Sequence, residues 1–167
     1  EIKECDWTSD VCSSDLDHAR KISGVAVEKG FLPSDIPFPQ KFDLVCALDV
    51  IEHLDTDEES LKSLRGFLKP DGHALFTVPA YMFLWSRHDE VNHHKRRYTL
   101  PQFRALLEKA GYRVEFISYY NTLLFPAVAA VRLLKKFLKL TDSPDEKMPN
   151  LPFVNRILME LFAAERF

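Results

Sequence analysis

Glycine is scarce in this chain and what there is stands scattered: Gly24, Gly30, Gly66, Gly72 and Gly111 are each isolated among 167 residues. No glycine-rich loop exists, so nowhere does a run of small residues let the backbone approach a cofactor closely. Cysteine is equally sparse. Cys5, Cys12 and Cys46 have neither paired nor metal-ligand spacing, and Cys46 lies inside an apolar run, which fits a reducing, cytoplasmic setting. No apolar run reaches the length of a bilayer span, and no basic segment followed by an apolar core opens the chain, so neither a transmembrane helix nor a signal peptide is expected. An excess of positive charge is missing too. A net charge of −3 gives no electrostatic reason to expect a nucleic-acid partner.

What is present suffices for one core, since 46% of the residues are hydrophobic and 12% aromatic. Residues 42–79 are the most informative. Phe42–Leu48 is a nearly continuous apolar run, as in a strand covered on both faces, and Asp49, Glu52 and His53 follow at once. Thr56 and Glu59 form a capping-box pattern, and Leu61, Leu64, Phe67 and Leu68 place an apolar stripe on the helix that follows. That helix is expected to stop at Pro70-Asp71-Gly72, with the next strand over 73–78. Alternation of strand and helix predicts a parallel α/β sheet, whose ligands sit beyond the carboxyl ends of the strands.

Elsewhere the signals are coarser. A helix end is expected over 19–23 and a short strand over 25–29, after which Pro33, Pro37 and Pro39 impose a loop. Residues 80–98 are aromatic, histidine-rich and basic without clear periodicity. Thr99 and Gln102 repeat the capping box before a helix with Phe103, Leu106, Leu107 and Ala110 on its buried face, ended by Gly111. A strand over 112–119, an amphipathic helix over 125–140, an acidic proline-punctuated linker over 141–152 and a last helix from 154 follow. Residues 1–16 are polar and non-periodic, and 6–16, DWTSDVCSSDL, resemble the conceptual translation of a sequencing adapter. The expected organisation is a non-native or disordered leader (1–16), a folded part (17–140), and a linker with the start of a C-terminal helix (141–167).

FDLVCALDVIEHL, LKPDGHALFTVP and YTLPQFRALLEKAGYRVEFI, in this order and spacing, resemble the fourth strand, the fifth strand and the following helix and strand of class I S-adenosylmethionine-dependent methyltransferases. VAVEKGFLPSDIPF resembles the family's third strand and adenine-side loop, and a bacterial subgroup carries something similar to WSRHDEVNHHKRRYT and NTLLFP. The resemblance implies a partial, doubly wound Rossmann-like sheet, truncated at both ends. The family's acidic, glycine-rich first loop and its second strand have no counterpart here. By this resemblance the intact parent transfers a methyl group from S-adenosylmethionine to a small-molecule or lipid-like acceptor, while the fragment itself is expected to be inactive. A cofactor-less binding fragment is the alternative.

The resemblance places Asp49, Val50, Glu52 and His53 beside the methionine end of the cofactor, and Gly30, Phe31 and Leu32 on its adenine side. D-x-x-E-H also resembles an E-x-x-E-H motif of ubiquinone-pathway O-methyltransferases that is associated with a divalent cation. Asp stands here in place of the first Glu, and the favoured expectation is that Asp49 caps the turn, Glu52 pairs with a basic residue and His53 packs, with no metal assigned. The densest polar cluster is His88, Asp89, His93, His94, Arg96, Arg97 and Tyr98. His88, His94 and Asp89 are the catalytic candidates, because a carboxylate beside an imidazole makes an acid/base pair. Arg96, Arg97 and Tyr98 are the substrate-binding candidates, the arginines suiting a carboxylate or phosphate. A zinc site from His88, Asp89 and His93 is a poorer rival, lacking cysteines and an H-E-x-x-H pattern. Arg132, Lys135, Lys136 and Lys139 on the 125–140 helix suit an anionic membrane surface, and a peripheral membrane module is the reading from another class.

Overall fold

The computed structural model describes residues 13–138 together with 156, 159, 160, 163 and 164. In chain order the elements are α1 (Ser13–Ser23), β1 (Phe42–Leu48), a 3-10 turn (Ile51–His53), α2 (Asp57–Arg65), β2 (Leu68–Thr77), a second 3-10 turn (Met82–Leu84), α3 (Arg87–Val91), α4 (Leu100–Lys109) and α5 (Phe125–Phe137). β1 and β2 pair in parallel. A tight turn cannot connect parallel neighbours, and α2 is the crossover that carries the chain back. The result is part of a Rossmann-like α/β arrangement, as the alternation of patterns implied.

Register shows where the expected boundaries shift. Leu44 to Leu48 pair one for one with His73 to Thr77, but Phe42 pairs with Leu68, so 69–72 bulge out opposite a single residue of β1. Pro70-Asp71-Gly72 therefore does not end the helix. It lies within β2, where a bulge tolerates a residue without an N–H. A Cβ on Gly72 would stand 2.9 Å from the Phe42 carbonyl oxygen and 3.2 Å from that of Asp43, so this close approach requires glycine. α2 ends instead at Arg65, with the Gly66 amide donating to the carbonyls of Lys62 and Ser63. Thr56 does precede α2, but its side chain makes no capping bond; Asp57 Oδ1 accepts from the Glu58 amide, and three acidic residues face the positive end of the helix dipole.

One face of the two-stranded sheet is covered. Ala47 of β1, Ile51, Leu61 of α2, Tyr98, and Phe103 and Leu107 of α4 form a continuous buried cluster. Phe76 of β2 meets Phe103 and Tyr112 edge to face. Among the described residues the opposite face is open, with Leu44, Leu48 and Leu75 each more than half exposed. The apolar run of β1 predicted cover on both sides. A pattern of side chains reports what a strand is able to bury, and the second layer is not among these residues.

Two expected strands form no ladder. Residues 25–29 and 112–119 carry apolar side chains, yet no neighbouring strand among the described residues receives their N–H and C=O groups. Val114 and Ile117 still pack on the core, while Phe116 is 86% exposed. Gly111, at φ +90°, ends α4 as expected, and Tyr112 returns to the core through a 2.8 Å bond from its hydroxyl to the Leu61 carbonyl. α1 passes from Ser13 through the expected boundary at 16 without a break. The 141–152 linker and most of the helix expected from 154 lie outside the described residues.

Candidate functional site

The site begins where β1 ends. Asp49 adopts φ 52°, a left-handed conformation that Asp tolerates better than most residues, and its amide donates to both the carbonyl and the hydroxyl of Thr77 at 3.0 Å. This bend directs the chain into the 3-10 turn carrying Ile51, Glu52 and His53. Ile51 anchors that turn in the core. Glu52 is buried with it, and neither carboxylate oxygen has a hydrogen-bond partner among the described residues. Pairing with a basic residue, the expected role of Glu52, is therefore not what the fold provides. Burial raises the Glu52 carboxyl above its ordinary range, with the Asp49 charge adding to the effect.

A second loop closes over this turn. The Lys95 amide donates to the Glu52 carbonyl at 2.9 Å, and beyond it Tyr98 bridges to Ala80 past the end of β2. α3 ends at Asn92, His93 turns through φ 54°, and the His94 amide returns to the Asp89 carbonyl. The left-handed turn at His93 brings the His94 ring against His53, edge to face, with centroids 4.7 Å apart. Burial, then the neighbouring His94, lowers the His53 pKa.

Asp89 organises the loop. It is wholly buried and accepts from Arg97 Nε at 2.7 Å, His94 Nδ1 at 2.9 Å and the Ser86 amide at 2.9 Å. Burial pushes its carboxyl up, but these partners outweigh that and hold it below the usual range. With His94 Nδ1 engaged by Asp89, Nε2 is the nitrogen left for a ligand.

The remaining candidates have other employment. His88 is exposed and hydrogen-bonds Asn92, so Asp89 orients His94 and not its sequence neighbour. Arg97 is buried between Asp89 and the Ala80 carbonyl. Arg96 and the Tyr98 hydroxyl both bond Asp57 Oδ2, at 2.8 and 2.9 Å. These three side chains tie α2 and the 94–98 segment together. The Phe31 amide and carbonyl are taken by a reciprocal pair with Asp35, and the Phe31 ring is 47% exposed with Lys29 Nζ 5.4 Å from its centre. Gly30 is fixed by space: a Cβ there would lie 2.6 Å from Pro37 Cδ.

A family model described as a methyltransferase domain matches residues 2–116. The chain belongs to this family. No curated protein and no solved structure gives a match. Within the methyltransferase domain the matched span takes in β1, α2, β2 and the two segments, 49–54 and 86–98, that meet at Glu52, while α5 follows it. His88, Asp89 and His93 do not converge as ligands. Among the described residues one group does: Glu52, His53 and His94 each offer a ligand atom, all within 4.8 Å of one another. The part of His94 in that group was not legible from spacing, because it depends on the turn at His93. A broad open cleft between β2 and 111–125 lies elsewhere and includes none of Glu52, His53 or His94.

Proposed function

We propose that the intact protein transfers a methyl group from S-adenosylmethionine to a small-molecule or lipid-linked acceptor, and that this chain supplies the floor beneath the methionine end and the acceptor side. The observation that carries this reading is the meeting of Glu52, His53 and His94 at the carboxyl end of β1, in a chain of the methyltransferase family. Asp49, exposed and turned out of the strand, fits the charged methionine end of the cofactor, with Val50 beside it. On the adenine side the Phe31 amide is already bonded, which leaves Gly30 and Leu32 of the expected contacts. When bound, the cofactor supplies an electrophilic methyl on sulfur, so the acceptor–carbon bond forms as the sulfur–carbon bond breaks, and the acceptor's proton must leave. His94 is the proposed acceptor of that proton, a reading supported by the bond of its Nδ1 to Asp89, which leaves Nε2 for the acceptor. His88 stands at the rim, 6.4 Å from His94 ring to ring.

Calorimetry with S-adenosylmethionine on this chain and on a longer protein that includes a glycine-rich first strand tests the cofactor. Transfer of labelled methyl into an aqueous metabolite pool or a lipid extract then identifies the acceptor class. In the longer protein H94Q is expected to lower the transfer rate by roughly 10²-fold or more while cofactor binding persists. Absence of cofactor binding by the longer protein, or full activity of H94Q, overturns the reading. A second reading, contact with a membrane surface, draws on Leu133, Leu134 and Phe137, which α5 leaves exposed beside Lys135 and Lys136 in sequence. No helix among the described residues is long and apolar enough to cross a membrane. Co-sedimentation with anionic vesicles at low and high salt tests surface contact, and no binding at low salt dismisses it.

A further inference from the structure

Aromatic side chains gather at the base of the loop that carries His94, and neither the core nor proton transfer accounts for them. That loop is closed: the Tyr81 amide donates to the Tyr98 carbonyl and the Tyr98 amide to the Pro79 carbonyl, both at 3.0 Å. The Arg97 amide donates to Met82 Sδ at 3.2 Å, and the Arg97 side chain runs from the Ala80 carbonyl to Asp89. The turn at Met82–Leu84 and the His94 ring therefore belong to one tied unit.

On that turn Phe83 meets Phe125, the first residue of α5, with ring centres 6.4 Å apart. Tyr81 touches these two rings at 5.4 and 5.6 Å and stacks on Tyr119 at 5.1 Å. It does so at φ 61°, an outlying conformation for a bulky side chain, and strain of this kind clusters at active sites and ligand clamps. Arg132 fixes α5 to the same turn through the Leu84 carbonyl. Val128, three residues on from Phe125, shares its side of the helix. Phe83, Phe125 and Val128 are held in place yet remain between 36% and 46% exposed. Phe125 and Val128 line the cleft beside β2, as do Leu84, Arg97 and Tyr98, so the cleft reaches the closed loop. We propose that the methyl acceptor carries a hydrocarbon chain, and that Phe83, Phe125 and Val128 form the strip on which this chain lies, with the polar head turned to His94.

The strip suits a chain better than a compact polar acceptor. It runs 6.4 Å from ring to ring and about 4.5 Å further along the helix, longer than a single ring needs. None of its three side chains is polar, whereas the polar groups of the site stand together at the His94 end. Apolar sites with a few polar groups at one place fix the orientation of an amphipathic ligand. Binding energy from the chain, remote from the reacting atoms, then holds the head for transfer. The lie of the chain on the strip needs nothing from the methyl-transfer reading; only the reaction at its head rests on it.

The test is titration of the full 167-residue chain with dissolved n-alcohols from hexanol to dodecanol, without cofactor. Binding is read by the fluorescence of Trp85, which follows the turn directly, in a W7F background that removes the other tryptophan. Each added methylene should tighten binding about 2- to 4-fold. F83S/F125S should weaken dodecanol binding by at least about 10-fold and flatten the dependence on chain length. V128S, a single change at an exposed position, should weaken it by about 2- to 5-fold and serves if the double variant does not fold. F125M keeps an apolar side chain and should bind nearly as wild type does. L44S alters an exposed leucine on the open face of the sheet and should leave binding unchanged. Affinity independent of chain length, full dodecanol binding by V128S and a folded F83S/F125S, or equal loss in L44S would each overturn the proposal. So would binding to anionic vesicles with none to the dissolved alcohols, which marks a membrane surface instead. In the longer protein the labelled methyl should enter the lipid extract. Label confined to the aqueous pool overturns the hydrocarbon chain and leaves methyl transfer standing, whereas the alcohol series uses no cofactor and is untouched if methyl transfer fails.

Discussion

Removing the Asp89 carboxylate should do more damage than any other single change in the loop. Its oxygens accept from Arg97 Nε at 2.7 Å, the Ser86 amide at 2.9 Å and His94 Nδ1 at 2.9 Å, and Asp89 itself is fully buried. The Arg97 side chain is only 8% exposed. Asp89→Ala therefore strands a guanidinium with little water to receive it, its remaining bond being to the Ala80 carbonyl. Breaking a buried pair in this way costs about 3–5 kcal/mol. With a urea dependence of roughly 2 kcal/mol per molar, the unfolding midpoint followed by circular dichroism should fall by about 2 M. Replacing both partners by apolar residues, D89L/R97M, removes the stranded charge and should recover most of that loss. The dependence on pH follows from the same bonds. The folded pKa of Asp89 is depressed, so its stabilisation is present above the unfolded value of about 3.9 and disappears as pH falls through the folded value. D89N should lose this acid limb. A midpoint shift for D89A below about 0.5 M, or a double variant as unstable as the single one, would refute the reasoning.

Glu52→Gln should stabilise the protein by roughly 1–3 kcal/mol at neutral pH, since a buried charge without a partner among the described residues is replaced by a neutral amide. Because the folded pKa of Glu52 is raised, wild type retains its full stability below the unfolded value of about 4.3 and loses part of it as pH rises through the folded value. The gain from E52Q should therefore vanish near pH 4, and urea melts at pH 4 and pH 7 check it. Gly72→Ala forces a Cβ to within 2.9 Å of the Phe42 carbonyl oxygen, and should cost about 1–3 kcal/mol in the same melts. Tyr98→Phe leaves Asp57 with Arg96 but removes a buried hydroxyl bond, with an expected loss of about 0.5–1.5 kcal/mol.

Much of the scaffold was legible because its signals are local. The apolar run of β1, the Leu61 and Leu64 part of the stripe on α2 and the Thr99–Gln102 pair at α4, where Gln102 Oε1 accepts from the Thr99 amide at 2.9 Å, all use contacts within one or two turns, whereas Phe67 and Leu68 of the expected stripe lie beyond Arg65, with Leu68 opening β2. What failed depends on neighbours. Pro70-Asp71-Gly72 has the composition of a turn, and only pairing with β1 makes it a bulge. Residues 112–119 alternate like a strand but find no partner strand among the described residues. α3, with five residues, is too short for periodicity to reveal. Arg97 reads as a substrate ligand on charge alone, yet burial against Asp89 is a property of the fold. Likewise, Asp89 and His88 are adjacent in sequence, but a helical turn and a left-handed residue give the carboxylate to His94.

The two buried carboxylates of the candidate site make the sharper argument about function. They lie on loops that bond to each other through the Lys95 amide, and the fold pushes their pKa values in opposite directions. Asp89 is surrounded by donors and is held ionised, so it serves as the fixed charge that aims His94. Among the described residues Glu52 has no donor and burial disfavours its charge, so its ionisation is the one the fold does least to hold. Environments that separate two carboxyls in this way mark a division of roles. If stability alone had shaped the loop, an apolar residue at 52 would pack beside Ile51 at lower cost. A carboxyl at 52 therefore costs the fold stability that nothing among the described residues returns.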